Sequence, residues 1–246
     1  MLIEIVDKAQ GYSYIVDLDD GVSSTFAAKL PLRAPLRVWK EEVYIETPVE
    51  LTLRGPGTIR VELGRVYYWR PGRALCMFYG VSEPYTSVHP IGRFVGPLNY
   101  LAVVEEGDEG EVKPHRPVDE LSEVVAAFRR LGYTAATPLN GDVIAVAATK
   151  YASGFRIPLI AFVEDYGIHI ETEVLYKHSH DQASLATTYA LKRLVEVSRY
   201  VRVDLNEDGY VVATAVIEKL DELPRALNEL EALYPVLRER ALSPGL

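Results

Sequence analysis

The 246 residues carry 26 Lys and Arg against 35 Asp and Glu, a formal charge of −9, with 48% hydrophobic and 25% charged side chains. That length exceeds one domain of ~100–150 residues and suits two, and the balance is that of a folded globular chain. Residues 1–114 hold 12 basic and 16 acidic side chains and the remainder 14 and 19, so the halves carry −4 and −5. Neither half offers the cationic face that nucleic acid requires, so no nucleic-acid partner is expected.

No apolar run approaches the ~20 residues of a membrane span, which argues against a membrane partner. Met1-Leu2-Ile3-Glu4 has neither a basic start nor a long apolar stretch, so no secretory signal is read and a cytoplasmic location is expected. One cysteine, Cys76, excludes an intramolecular disulfide and a cysteine-only zinc site. Two Met, two Gln and four Asn, with 18 Arg against 8 Lys, form a thermolabile-poor composition that suggests a thermophile protein, the alternative for the Arg excess being a GC-rich genome.

In chain order, Leu2–Val6 and Tyr12–Val16 are β-rich runs separated by Gln10-Gly11. Ser23 and Ser24 can cap a short helix carrying Phe26, Ala27 and Leu30, stopped before Pro31. Short strands are expected at Val43–Glu46, Val49–Leu53, Ile59–Leu63, Val66–Trp69, Ala74–Tyr79 and Ile91–Val95. Turn signals at Gly55-Pro56-Gly57, Pro71-Gly72 and Ser82–Pro84 punctuate them, a spacing that suggests a closed barrel or sandwich. The polar, proline-bracketed stretch from Gly107 to Pro117 reads as a linker, giving domains at 1–113 and 117–246.

Beyond it, Leu121, Val124, Val125, Phe128 and Leu131 form a helical stripe that Gly132 can end. Asn140-Gly141 is a hairpin signal leading into a strand at Val143–Ala148, followed by strands at Ile157–Val163 and Ile168–Leu175. A second helix is expected to bury Ala186, Ala190, Leu194, Val197 and Val201. Asp208-Gly209 turns a hairpin between Val201–Leu205 and Tyr210–Ile217, and a last helix carries Leu223, Leu227, Leu230, Tyr234 and Leu237 with a kink expected at Pro235. The order α, β-meander, α, ββ, α predicts an α+β domain with an antiparallel sheet.

Phe26–Pro31, Trp39-Lys40-Glu41-Glu42-Val43-Tyr44, Thr47-Pro48-Val49, the block Tyr68 to Gly80 and Ile91-Gly92-Arg93 together resemble the small prokaryotic cyclophilin-like proteins of unknown function. The resemblance covers roughly residues 1–113 and implies an all-β, eight-stranded closed barrel with short helices. True cyclophilins use an arginine in a Phe-His-Arg strand to isomerise X-Pro bonds. The matching stretch here, Glu42 to Pro48, has no arginine, so isomerase activity is not expected. The passage Leu194 to Val211, with Arg202 to Gly209 and a final Leu233-Tyr234-Pro235, resembles the YbjN and type III secretion chaperone-like family. That resemblance implies a non-enzymatic, interaction-prone second domain.

Other constellations read as ordinary structure. Asp204 to Gly209 opens like a calcium loop, but the bidentate glutamate that loop position 12 demands is Ala215 here, so a hairpin turn is expected. His178-Ser179-His180-Asp181 holds metal-ligand residue types, yet Ser179 or Asp181 at a helix start is the simpler reading. Cys76 alternates with apolar neighbours and reads as an inert core thiol. No lipase elbow, dinucleotide fingerprint or P-loop is present, so no cofactor, metal or catalytic residue is assigned.

The aromatic density of Tyr67, Tyr68, Trp69, Phe78, Tyr79 and Tyr85, with Arg73 and Arg93, is the feature that suggests ligand binding. The expectation is a non-catalytic binding protein whose barrel holds a peptide or small molecule in a groove edged by Tyr44, Met77, Tyr79 and Arg93. The second domain is expected to supply a protein contact or a homodimer surface. The alternatives are a peptidyl-prolyl isomerase using Arg93 or Arg73, and a chaperone-like adaptor with a structural barrel.

Overall fold

The computed structural model describes residues 1–53, 55–141 and 143–243. The chain divides into two compact units, Met1–Asp119 with Ala136–Ile144, and Glu120–Ala135 with Ala145–Leu246.

The first unit is built from β1 (Leu2–Asp7), β2 (Tyr12–Leu18), α1 (Asp20–Ala27), β3 (Leu32–Trp39), β4 (Glu42–Glu46), β5 (Arg65–Trp69), β6 (Ala74–Phe78), β7 (His89–Val95) and β8 (Glu109–Pro114). The strands run in the order β1-β8-β3-β4-β6-β5-β7-β2, and β2 pairs back onto β1. Every neighbouring pair is antiparallel, so among the described residues eight strands close a barrel. This is the expected architecture. Closure leaves these eight strands without a free edge.

The alternation of side chains sorts the barrel wall into two faces. Val43 and Ile45 of β4, Val66 and Tyr68 of β5, and Leu75 and Met77 of β6 point inward and pack with Ile3, Ile5, Leu36 and Val112. Tyr67, Ala74, Cys76 and Phe78 point the other way and form a separate cluster with Val88, against which Tyr44 and Trp69 pack.

Two strands escape the sequence reading. β3 lies where no strand is expected, and the linker-like stretch contains β8, which is hydrogen-bonded to β1 on one side and β3 on the other. Gly110 is the reason β8 looks polar. It is a buried, inward position, and a Cβ there would stand 3.0 Å from Leu36 and Ile45, so the interior residue is one that hydrophobic patterning cannot see. Conversely, Val49–Leu53 and Ile59–Leu63 form no strand, and Thr58, just before the second stretch, makes an isolated bridge to Val88.

The second unit holds α2 (Ser122–Arg130) and β9 (Thr134–Ala136), the latter straddling the division between the units. The hairpin of β10 (Leu139–Asn140) and β11 (Val143–Ile144) returns to the first unit, where Asn140 pairs with Tyr12 of β2. β12 (Val146–Ala152), β13 (Phe155–Glu164), β14 (Gly167–Thr172), β15 (Tyr176–Lys177), α3 (Gln182–Leu194), β16 (Val201–Leu205), β17 (Tyr210–Ile217) and α4 (Leu223–Leu242) complete the second unit. Its antiparallel sheet runs β15-β17-β14-β13-β12-β9, with β16 also on β17. The single strand expected over Val143–Ala148 is therefore two, split at Ala145 between different sheets.

α4 buries Leu223, Leu227, Leu230, Tyr234 and Leu237, the stripe read from sequence, and adds Ala226. It continues through Pro235. α3 does not bury the face expected of it. Leu194 and Val197 are exposed, the latter at 98%, while Ser184, Thr188, Leu191 and Val195 face inward. The two buried hydroxyls are satisfied: Thr188 donates to Ser184 O at 2.9 Å, and Ser184 Oγ accepts from Ser179 N. Tyr176 Oη lies 2.6 Å from Thr188 Oγ1. Polar side chains with internal partners can thus displace apolar ones from a buried face. Asp181 caps α3 by accepting the Ser184 N–H at 2.7 Å, as the simpler reading of the histidine segment expected.

Candidate functional site

A cavity of about 310 Å³ opens on the outward side of the barrel wall, lined by Trp39, Glu42, Tyr44, Trp69, Pro84, Tyr85, Thr86 and Val88. The local sequence explains how these distant residues meet. Glu42 and Tyr44 share one face of β4 because they are two residues apart. Trp39 ends β3 and Trp69 ends β5, so both indoles stand at strand termini. The loop after β6 brings Pro84 to Val88 across them.

Several bonds hold that loop. Val81 N–H donates to Glu41 Oε2 at 2.6 Å, Glu41 N–H donates to Ser82 Oγ at 3.2 Å, and Tyr79 N–H donates to Glu41 O at 3.0 Å. Trp69 Nε1–H donates to Thr86 Oγ1 at 2.8 Å, fixing the indole against the loop. Gly72 lies beneath the same indole; a Cβ there would stand 2.5 Å from Trp69 Cε3 and Cζ3, so any side chain would displace the ring. Tyr85 meets Trp39 edge-on with centroids 4.8 Å apart. The Lys40 ammonium lies 4.3 Å from the Trp39 ring centroid and 4.6 Å from that of Tyr85.

The electrostatics centre on Glu42, which is 7% exposed. Burial raises its pKa above the ordinary carboxyl range, opposed by hydrogen bonding with the Cys76 thiol. Burial likewise raises the Tyr44 phenol, helped by Glu106 and Glu46.

Of the four residues expected to edge a groove, Tyr44 lines this cavity and the others do not. Met77 is 1% exposed within the interior core, because it has the opposite parity to Cys76 on β6. Tyr79 packs against the same interior cluster and its hydroxyl donates to Lys40 O at 3.2 Å. Arg93 is exposed on β7, opposite Asp17 of β2 and Arg65 of β5. Arg73 lines a separate polar depression with Glu50, Thr52, Tyr68 and Arg70. Sequence reasoning did not single out Trp39 or Glu42 as site residues. The usable signal was the shared parity of Glu42 and Tyr44.

The first unit is thus a closed antiparallel barrel carrying an aromatic cavity with one acidic side chain on its outer face. The sequence profile described as Cyclophilin-like matches residues 1–128, and the chain belongs to that family. The hypothetical protein AF2241 from Archaeoglobus fulgidus, known from a solution structure, is 28% identical. That similarity covers 46% of this chain and 93% of the archaeal one, with a TM-score of 0.39. The structure of McbB in complex with tryptophan is 16% identical, covering 52% of this chain and 54% of the other, also with a TM-score of 0.39. No curated protein matches the chain. Among the described residues no helix is long and apolar enough to cross a membrane.

Proposed function

We propose that the barrel is a small-molecule binding module and that its ligand occupies the outer-face cavity walled by Trp39, Tyr44, Trp69 and Tyr85. The observation that carries this reading is the pairing of four aromatic side chains with one buried carboxyl around about 310 Å³. Ligand sites are concave, largely apolar and furnished with few polar groups, and this volume falls at the lower end of their range. The second unit, whose helix-to-hairpin passage resembles the YbjN and secretion-chaperone-like family, makes a protein contact in this reading. Exposed Leu185 and Tyr189, one turn apart on α3, support that role.

Thermal-shift screening against a metabolite panel tests the reading. A ligand held at 100 times its Kd stabilises the protein by about 2.7 kcal/mol. A true cavity ligand loses that shift in a Tyr44→Ala variant, whereas a shift unchanged by Tyr44→Ala, or a panel without a binder, counts against it. The isomerase alternative has weaker support, because no arginine is among the described residues that wall the cavity. An X-Pro peptide assay is expected to stay within about twofold of the uncatalysed rate, which is set by the amide resonance barrier.

A further inference from the structure

Resting on the reading of the cavity as a ligand site, we infer that the ligand is a small organic ammonium cation, held against the rings of Trp39, Tyr44, Trp69 and Tyr85 with Glu42 as counter-charge. Among the described residues that wall the cavity, Glu42 is the one carboxyl, and no Lys or Arg is present. Its floor is thus acidic in an otherwise apolar concavity. A carboxyl 7% exposed is costly to ionise unless a cation is beside it. Glu42 makes no ion pair among the described residues, and its polar neighbour is the Cys76 thiol, a weak donor. The missing element of this site is therefore a positive charge.

The walls favour the same charge. Indole and phenol rings present a negative face, and a cation within about 6 Å of the ring centroid is attracted to it. The molecule already shows this behaviour at the rim, where the exposed Lys40 ammonium lies 4.3 Å from Trp39 and 4.6 Å from Tyr85. Lys40 makes no ion pair with Glu42 among the described residues, so the buried carboxyl is left to a ligand. An anion would meet the Glu42 carboxyl, a like charge when ionised. A neutral apolar ligand would gain from the rings but leave the buried carboxyl with only the weakly donating Cys76 thiol beside it among the described residues.

The chain has two tryptophans, and both line the cavity. Intrinsic fluorescence of the full chain therefore reports on this site. The test titrates choline and its uncharged isostere 3,3-dimethylbutan-1-ol into wild-type protein, Glu42→Gln and Tyr85→Leu. Expected is saturable quenching by choline with at least tenfold preference over the alcohol. Glu42→Gln should erase that preference without abolishing binding of the alcohol. Tyr85 is 79% exposed, so Tyr85→Leu should weaken choline severalfold in a protein whose fold is undisturbed. Equal affinity for the two compounds, or a preference retained by folded Glu42→Gln, overturns the inference while leaving the cavity as a ligand site. Absence of a saturable choline response in folded wild-type protein also overturns it; the metabolite screen then decides the cavity reading separately.

Discussion

Cys76 on β6 and Glu42 on the adjoining β4 are hydrogen-bonded on the outward side of the barrel wall: the thiol favours the Glu42 carboxylate, whereas that carboxylate disfavours the thiolate. Burial raises the Cys76 thiol well above its usual range, and the Glu42 carboxyl adds to the effect. The thiolate is the reactive form of cysteine, so native Cys76 is expected to be inert. A disulfide-exchange reagent such as DTNB at pH 8 should titrate no thiol in native protein and one after unfolding in guanidinium. Rapid reaction of the native protein would contradict this placement.

In the second unit, Arg156 Nη1 and Glu173 Oε1 meet at 2.8 Å with both residues buried. Removing one partner takes this ion pair from the other buried charge in a poorly solvating interior. Glu173→Ala should therefore lower stability by about 3–5 kcal/mol. Replacing both with Met and Leu should cost much less, because burial of paired charges is itself expensive. Urea unfolding of the single and double variants measures the difference; an additive double variant would argue against coupling.

Glu171 gives a signed pH dependence. Burial, and then the carboxylates of Asp208 and Glu207, raise its pKa from 4.5 to about 7. His169 Nε2 is 3.6 Å away, but burial and Arg202 lower the imidazole's pKa, so it is neutral near pH 7 and offsets little. A carboxyl whose pKa is higher folded than unfolded holds its proton better in the native state. Its ionisation costs nothing below pH 4.5, an increasing amount between pH 4.5 and 7, and the full penalty above. Glu171→Gln should therefore stabilise the protein on the order of 2 kcal/mol at pH 8 and negligibly near pH 4. Melting curves at both pH values test the sign; equal stabilisation at both would show that the gain is not electrostatic.

Limited proteolysis should spare Glu109–Pro114 despite its charge and flanking prolines. β8 is hydrogen-bonded along both edges, and a protease needs an extended, unpaired backbone. Mass spectrometry of the first fragments checks this; primary cleavage inside β8 would mean that the barrel opens there.

Local signals carried much of the architecture. The 3–4 spacing of Leu223, Leu227, Leu230, Tyr234 and Leu237 specified the buried face of α4, because helical periodicity is a property of neighbours. Asn140-Gly141 and Asp208-Gly209 marked hairpins, because both turns need a residue at positive φ, here Gly141 at 63° and Gly209 at 79°. The cyclophilin-like motif order announced the barrel. β8 stayed hidden because its inward residue is Gly110, and the α3 face was misjudged because Ser184 and Thr188 are buried with partners that sequence does not display.

The cavity required the tertiary structure. Sequence alone determined which residues alternate on each strand, and so placed Glu42 and Tyr44 on one face. It could not bring Trp39, Trp69 and Tyr85 to that face, since their meeting depends on which strands adjoin and on the loop pinned by Glu41 and Thr86. Nor could it separate Met77, turned into the core, from Tyr44, turned outward on a neighbouring strand. Strand pairing is a long-range choice made by the whole barrel as it closes, whereas helix stripes and tight turns are settled within a few residues.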